Sequence, residues 1–166
     1  DRIAVEISNG ADQRSISYAE LAASVNALAA GLQTIDPAPQ SCVGICAYNS
    51  FEHLLGWLAA YAAGKVWVPL NPRNGRDELD RIIDLTTPSI IIFDADCGEK
   101  FGPNAAHLLA GKDGVDAVRA NSAGFVDVRV CEHRAFFLTP SEEGGSSVWC
   151  LESFESSIDV ARDMAK

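Results

Sequence analysis

Two acidic side chains stand where a short apolar run of the sequence ends. Asp94 and Asp96 follow residues 89–93, a run typical of a buried strand. In open α/β sheets, ligands bind beyond the carboxyl ends of parallel strands, so this pair could hold Mg²⁺ or accept a phosphoryl group. No cluster of further carboxylates accompanies the pair. A turn that ends the strand is therefore the favoured interpretation.

Two arginines flank a loop that follows another strand. Arg73 and Arg76 come shortly after Pro69, which closes the strand because proline cannot donate a ladder hydrogen bond. Guanidinium groups at a strand end can contact an anionic substrate. Surface charge at the start of a helix is the alternative, and we favour it.

The cysteines give no pattern for metal binding or disulfide formation. They number five, with no C-x-x-C pair, and the three histidines lie far from them in sequence. Cys42 and Cys46 fall on one predicted strand, where four residues span roughly 13 Å, too far for a bridge. We expect no metal site, and reduced, buried thiols.

The aromatic and histidine side chains also favour structural roles. His53 falls on the polar side of a predicted helix and is expected at the surface rather than as a base. Trp57, Trp67 and Trp149 are too scattered for a stacking platform, so we expect them to pack.

Composition limits the classes of partner. The chain has 166 residues, 48% hydrophobic and 22% charged, which predicts a soluble domain with one core. A net charge of −10 repels phosphates, so nucleic acid is not expected as a partner. No stretch approaches the ~20 apolar residues of a membrane span. The chain does not open with a basic segment followed by an apolar one, as a signal peptide would. A cytoplasmic location is therefore expected.

Turn and capping signals predict the first elements. Residues 3–7 and 14–17 alternate like strands on either side of the turn signal Asn9-Gly10, which predicts an opening β-hairpin. Ser17 and Glu20 have the spacing of a capping box, so a helix should follow over residues 18–34.

The next segments alternate between strand and helix. Residues 42–47 form an apolar run without alternation, typical of a central strand covered on both faces. The elements predicted after it are a helix capped by Asn49 with Glu52 at its third position and ending at Gly64, a strand at residues 66–68, a loop at residues 71–75, a short helix ended by Pro88, and a strand at residues 89–93. This order predicts a doubly wound α/β fold, with a mainly parallel sheet and helices on both faces.

The pattern is less regular beyond residue 93. The predictions there are a helix from Pro103 through Leu109, a strand at residues 125–130 with residues 134–138 as its partner, a glycine-containing loop at residues 139–147, a strand at residues 148–151, and a last helix with Phe154, Ile158 and Ala161 on one face. Residues 112–124 are polar and irregular, and we interpret them as a linker. The resulting division is residues 1–111, the linker, and a continuation of the same domain over residues 125–166.

Two segments resemble the first two core motifs of the adenylate-forming superfamily, which includes acyl-CoA synthetases, luciferases and the adenylation domains of peptide synthetases. The first, ISYAEL, is similar to that family's L-[TS]-Y-x-E-L at Ser17, Tyr18, Glu20 and Leu21. The second, AAGKVWVPLNP, is similar to its K-A-G-A-x-x-V-P-L-N-P at Gly64, Pro69, Asn71 and Pro72. Both motifs fall on the same βαβ elements, and the resemblance covers about the first hundred residues.

The physical role of these motif residues is structural. Ser17 and Glu20 satisfy amide groups at a helix start, and Gly64 permits a left-handed turn from helix to strand. The resemblance implies an N-terminal subdomain like that of acetyl-CoA synthetase. It further implies an enzyme that activates a carboxylic acid with ATP and Mg²⁺ through an acyl-adenylate and transfers the acyl group to CoA. Arg73 and Arg76 could then contact the CoA phosphates.

The family's nucleotide chemistry depends on motifs that this sequence lacks. They are a Gly-rich phosphate loop ending in P-K, an acidic residue that holds Mg²⁺, a ribose-binding Asp, and a Lys in a mobile C-terminal domain. The counterpart of the phosphate loop falls at residues 137–147, where only the leading strand, Thr139 and Gly144 agree. Glu142 and Glu143 replace hydroxyl residues, and each would cost a nearby triphosphate roughly 3 kcal/mol.

We therefore predict no catalytic residue, metal ligand or bound cofactor for the isolated chain, with Thr139 and Gly144 at a degenerate phosphate-loop position. Either the functional loop lies after Lys166, or this copy is degenerate and the segment is a solvated acidic turn. The expected partners are the remaining domains of a parent enzyme and its carboxylic acid substrate. The alternatives are a non-catalytic acyl-binding or scaffold domain of the same fold, and a flavodoxin-like receiver, which leaves both motifs unexplained.

Overall fold

The computed structural model describes residues 2–9, 12–102, 107–110, 116, 136–143 and 146–153. Within these ranges, no helix is long and apolar enough to cross a membrane.

The described chain forms eight strands, three α-helices and one 3-10 helix. In chain order they are β1 (Ile3–Asn9), β2 (Asp12–Ser17), α1 (Tyr18–Ile35), β3 (Cys42–Cys46), α2 (Phe51–Ala62), β4 (Val66–Pro69), α3 (Arg76–Thr86), β5 (Ile90–Phe93), the 3-10 helix (Ala95–Lys100), β6 (His107–Ala110), β7 (Phe136–Glu143) and β8 (Ser146–Ser153).

The strands form two sheets. β1 and β2 make the predicted antiparallel hairpin. The other six have the order β6-β5-β3-β4-β7-β8, and every neighbouring pair is parallel except β7 and β8. β3 therefore has a parallel neighbour on each side, as its uninterrupted apolar sequence predicts.

Helices cover both faces of this sheet. On one face α1 and α2 pack against alternate residues of the central strands, including Leu28, Leu55, Ile45 and Ile92. On the other face α3 and the 3-10 helix pack against the remaining residues, including Leu79, Cys97, Val68, Ile91 and Phe93. The predicted doubly wound α/β fold is confirmed.

The first helix begins as its sequence requires. The Ser17 side chain accepts a hydrogen bond from the Glu20 N–H, and the Glu20 carboxylate accepts one from the Ser17 N–H at 2.8 Å. These two bonds satisfy two amides that a helix start leaves unpaired. They also hold the pKa of Glu20 below its ordinary value.

Three sequence predictions about element boundaries are wrong. The N-cap of α2 is Ser50 rather than Asn49, and its hydroxyl accepts from the His53 N–H. Residues 107–109, predicted as the end of a helix, belong to β6 and pair with β5. Residues 139–143 and 146–147, predicted as a loop, lie in the paired strands β7 and β8.

The strand predicted at residues 148–151 lies within β8. Residues 136–138 of the strand predicted at 134–138 lie in β7, which pairs with β4 and β8. Several other predictions beyond residue 102 fall outside the described residues. They are the start of the helix at Pro103, the strand at residues 125–130, the last helix, and all of the linker except Asp116. The division into residues 1–111, 112–124 and 125–166 stays a prediction.

Candidate functional site

The carboxyl ends of β3, β4 and β5 meet at one edge of the sheet, because these strands are parallel neighbours. The chain leaves β3 toward α2 on one face and leaves β4 toward α3 on the other. When the connections after two neighbouring strands go to opposite faces of the sheet, a crevice opens between them. Open α/β sheets bind ligands in such a crevice.

A cleft of about 420 Å³ occupies this position. Its walls are the residues after β3 and the residues after β4, namely Ala47, Tyr48, Asn49, Asn71, Pro72 and Arg73. We call it the edge cleft. Two amide side chains and one guanidinium supply its polar groups, and Tyr48, which is 49% exposed, supplies an aromatic surface. Neutral donors beside one cation suit a planar or anionic ligand better than a cationic one.

The 3-10 helix holds both walls of the edge cleft. Asp94, the residue before it, accepts a 2.7 Å hydrogen bond from the Tyr48 N–H through Oδ2. Lys100, its last residue, donates to the carbonyls of Pro72 and Asn74, the second at 3.1 Å. Within the loop, the Asn71 side chain accepts from the Arg73 N–H at 2.9 Å. Each wall is therefore fixed by hydrogen bonds to its backbone.

The acidic pair of the sequence analysis has a structural role at this edge. Asp94 caps the end of β5 and binds the Tyr48 amide, as expected for a strand-ending turn. Among the residues whose side chains the structure describes, no group of three His, Cys, Asp or Glu could hold a metal ion.

The second family motif spans the whole length of β4. Gly64 precedes the strand with a φ of 71°, in the left-handed region that glycine adopts without strain, as predicted. Asn71 and Pro72 follow the strand and line the edge cleft, whereas the first-motif residues Ser17 and Glu20 do not line it. Of the two motifs, the structure therefore brings only the end of the second to the edge cleft.

Lys65 is a buried cation whose role the sequence analysis missed. Its side chain is 1% exposed, and its ammonium donates to Asp36 O at 2.5 Å, Ala38 O at 2.6 Å and Ser41 Oγ at 2.7 Å. Asp36 Oδ2 lies 3.4 Å away. All three ammonium N–H groups are used, so Lys65 fixes the α1–β3 connection to the start of β4.

Burial and pairing shift the pKa values of Lys65 and Asp36 in opposite directions. Burial lowers the pKa of Lys65, and the Asp36 carboxylate partly offsets this. Burial raises the pKa of Asp36, but hydrogen bonds from Ser41, Ser89 and the Ala38 N–H, together with the Lys65 charge, hold that pKa well below its ordinary value. The charged pair is the state that these hydrogen bonds favour.

A second, apolar groove of about 520 Å³ runs between β1 and α2. Its lining includes Phe51, His53, Trp57 and Trp67. The Trp57 and Trp67 rings lie 5.4 Å apart, so these two side chains pack together as expected but are not scattered. His53 is half-buried, 3.1 Å from Ala47 O through Nδ1, and packs edge-on to Trp67. The prediction of a surface histidine is wrong, because the ring turns toward the strand end beneath it.

The arginines and cysteines are placed largely as predicted. Arg73 lines the edge cleft, and Arg76 is exposed, with its Nε 3.6 Å from Asp80. Cys42, Cys46 and Cys97 are free thiols, and the last two are buried.

The residues of the degenerate phosphate loop lie on β7 and β8. Thr139 pairs with Cys150, Glu142 with Ser147 and Glu143 with Ser146, and the turn between them falls outside the described residues. Phosphate cradles present free backbone N–H groups to the anion. Strand pairing engages backbone groups of these residues, and the two acidic residues come directly before the turn. These residues do not fit a triphosphate with its Mg²⁺.

A family model described as AMP-binding enzyme matches residues 1–139. The chain belongs to the AMP-binding enzyme family. The resemblance of the two motifs to adenylate-forming enzymes is thereby confirmed. Relatives of this AMP-binding family chain are of several kinds.

AMB antimetabolite synthetase AmbB of Pseudomonas aeruginosa is 30% identical over 145 residues, which cover 87% of this chain and 11% of that protein. A fatty acyl-adenylate ligase of Legionella pneumophila, solved with acyl adenylate and pyrophosphate, superimposes with a TM-score of 0.74 at 20% identity, covering 95% of this chain and 28% of that one. NpsA-ThdA of Klebsiella oxytoca, an artificially fused adenylation-PCP di-domain NRPS, superimposes with a TM-score of 0.65 at 25% identity, covering 83% of this chain and 25% of that one. The AMP-binding family chain thus spans about a tenth of the curated relative and about a quarter of each solved one.

Proposed function

We propose that this chain is the N-terminal part of an AMP-forming ligase, which activates a carboxylic acid with ATP. The carboxylate would attack the α-phosphate, giving an acyl-adenylate and pyrophosphate, and a thiol would then displace AMP to give a thioester. The observation that carries the proposal is the family match over residues 1–139, on a fold whose two motifs occupy the α1 cap and the β4 crossover.

Within such an enzyme, the described residues act as a scaffold. Lys65 and the capping box fix the connections around α1 and β4, while Asp94 and Lys100 fix the walls of the edge cleft. The nucleotide contacts would come from other parts of the enzyme, since Glu142 and Glu143 repel phosphate.

Two thiols are candidates for the acyl acceptor. The sequence resemblance to acyl-CoA synthetases favours CoA, and Arg73 in the edge cleft supplies one cation for its phosphates. The solved di-domain of Klebsiella oxytoca joins an adenylation domain to a PCP, a peptidyl carrier protein, which favours the thiol of such a carrier. Because the cleft has only one arginine in its lining, we favour the carrier protein.

The experiment supplies the protein that carries this chain with ATP, Mg²⁺, a panel of amino and fatty acids, and either CoA or a pantetheinylated carrier protein. The expected result is carboxylate-dependent AMP, with thioester on the carrier. Thioester on CoA would reassign the acceptor, and release of ADP rather than AMP would refute the ligase.

A non-catalytic scaffold of the same fold is the second candidate. Glu142 and Glu143, the last two residues of β7, favour it, since a phosphate site at the turn that follows would be lost. Failure to form AMP with any acid, together with retained folding, would support it.

A further inference from the structure

Two buried cysteines lie in one core cluster near the edge cleft. Cys46 is the last residue of β3, and Cys97 lies in the 3-10 helix. Their exposed fractions are 0% and 2%, and they belong to the same core cluster.

Backbone hydrogen bonds link these two residues through Asp94. The Asp94 N–H donates to Cys46 O at 3.1 Å, and the Cys97 N–H donates to Asp94 O at 2.8 Å. Cys42 offers the contrast, because it lies four residues earlier on the same strand, roughly 13 Å away along β3. Among the three free cysteines that the structure describes, Cys46 and Cys97 are thus the two whose backbones both bond to Asp94.

We propose that Cys46 and Cys97 form a modification site, a dithiol that a low-molecular-mass disulfide such as oxidised glutathione converts to a protein disulfide. Cys97 loses its proton and attacks one sulfur of the reagent, releasing one glutathione thiolate and leaving a mixed disulfide. Cys46 then loses its proton, attacks Cys97 Sγ and releases the second glutathione. The two protons pass to the two glutathione thiolates, so the protein loses two electrons and the reagent gains them.

The order of attack follows from where the two residues lie. Burial raises the pKa of Cys46 to about 12, and the neighbouring Cys97 adds to the rise. Cys46 is also fixed in a central strand with a parallel neighbour on each side. The 3-10 helix has six residues and can open locally without breaking the sheet. Cys97 is therefore the thiol that a reagent reaches first, and the reaction is slow in the closed state.

The bond would change the edge cleft rather than the whole fold. The 3-10 helix carries Lys100, which holds the wall after β4, and follows Asp94, which holds the wall after β3. A covalent link from this helix to the end of β3 would keep both walls in place when their hydrogen bonds open. This inference does not depend on the proposed ligase activity.

The test treats the reduced protein with oxidised glutathione under native conditions, blocks the remaining thiols by alkylation, and maps cross-linked peptides by mass spectrometry. The expected product is a Cys46–Cys97 link in large excess over every other cysteine pair. Because a disulfide closes a long loop in the unfolded chain, the oxidised protein should have a higher Tm, reversed by dithiothreitol.

Matched variants separate this site from general oxidation. Cys42→Ser should keep both the link and the rise in Tm, whereas Cys97→Ser should lose both. Absence of the link in the wild-type protein would overturn the proposal. So would cross-links spread evenly over the five cysteines, or an oxidised form with a lower Tm than the reduced one.

Discussion

The Tyr48 N–H and the Asp94 carboxylate join the ends of β3 and β5 by a 2.7 Å hydrogen bond. This bond spans two strands whose following segments go to opposite faces of the sheet. It keeps the crevice at the sheet edge in one shape, although the two residues are 46 positions apart in sequence.

Replacing this carboxylate should loosen the edge cleft. Asp94→Ala leaves the Tyr48 N–H without its acceptor, and we expect a loss of about 1 kcal/mol in the free energy of unfolding, as for other hydrogen bonds to charged groups at partly exposed sites. Urea denaturation measures it. Asp94→Asn keeps an acceptor oxygen, so its free energy of unfolding should fall less. An equal fall in both variants would contradict the role given to this bond.

Removal of the buried Lys65 should lower the free energy of unfolding more. Lys65→Met keeps the length of the side chain but leaves two carbonyls, a hydroxyl and a carboxylate without their cation, and we expect a loss of about 3 kcal/mol. The matched control is Asp36→Asn, in which Lys65 keeps its two carbonyl acceptors. A Lys65→Met protein as stable as the wild type would show that the ammonium is not needed.

The same ion pair predicts part of the acid sensitivity. Asp36 has a depressed pKa in the folded state, so its contribution to stability is complete above its unfolded pKa of about 4 and is lost as the pH falls below that value. Asp36→Asn should therefore flatten the fall in Tm from about pH 5 to pH 2. Asp84→Asn, at an exposed acid, is the control, and an equal flattening there would count against the assignment.

The capping box predicts how α1 responds to substitution. Ser17→Ala removes the side-chain acceptor of the Glu20 N–H and should cost about 1 kcal/mol, or about 3 °C in Tm. Glu20→Gln keeps an oxygen that can accept from the Ser17 N–H, so its Tm should lie closer to that of the wild type. An unchanged Tm for Ser17→Ala would mean that α1 begins elsewhere.

Local signals were enough to predict most of the first 93 residues. The capping box marks the first residue of α1, and the apolar run at β3 marks a strand with neighbours on both sides. The α2 start was missed by one residue because Asn49 and Ser50 are both good caps.

Long-range contacts account for the remaining misses. Lys65 finds its acceptors 24 to 29 residues away, and no local pattern marks them. His53 turns inward because Ala47 O and Trp67 lie beneath α2. The four residues of β6 are too few for a periodicity, and only their pairing with β5 makes them a strand.

The most direct test compares ATP–pyrophosphate exchange by residues 1–166 alone with exchange by the protein that carries them. We predict no exchange above a buffer blank for the isolated chain with any carboxylic acid, and carboxylate-dependent exchange for the larger protein. Exchange by the isolated chain would contradict the scaffold role. A larger protein that folds but shows no exchange with any acid would contradict the ligase.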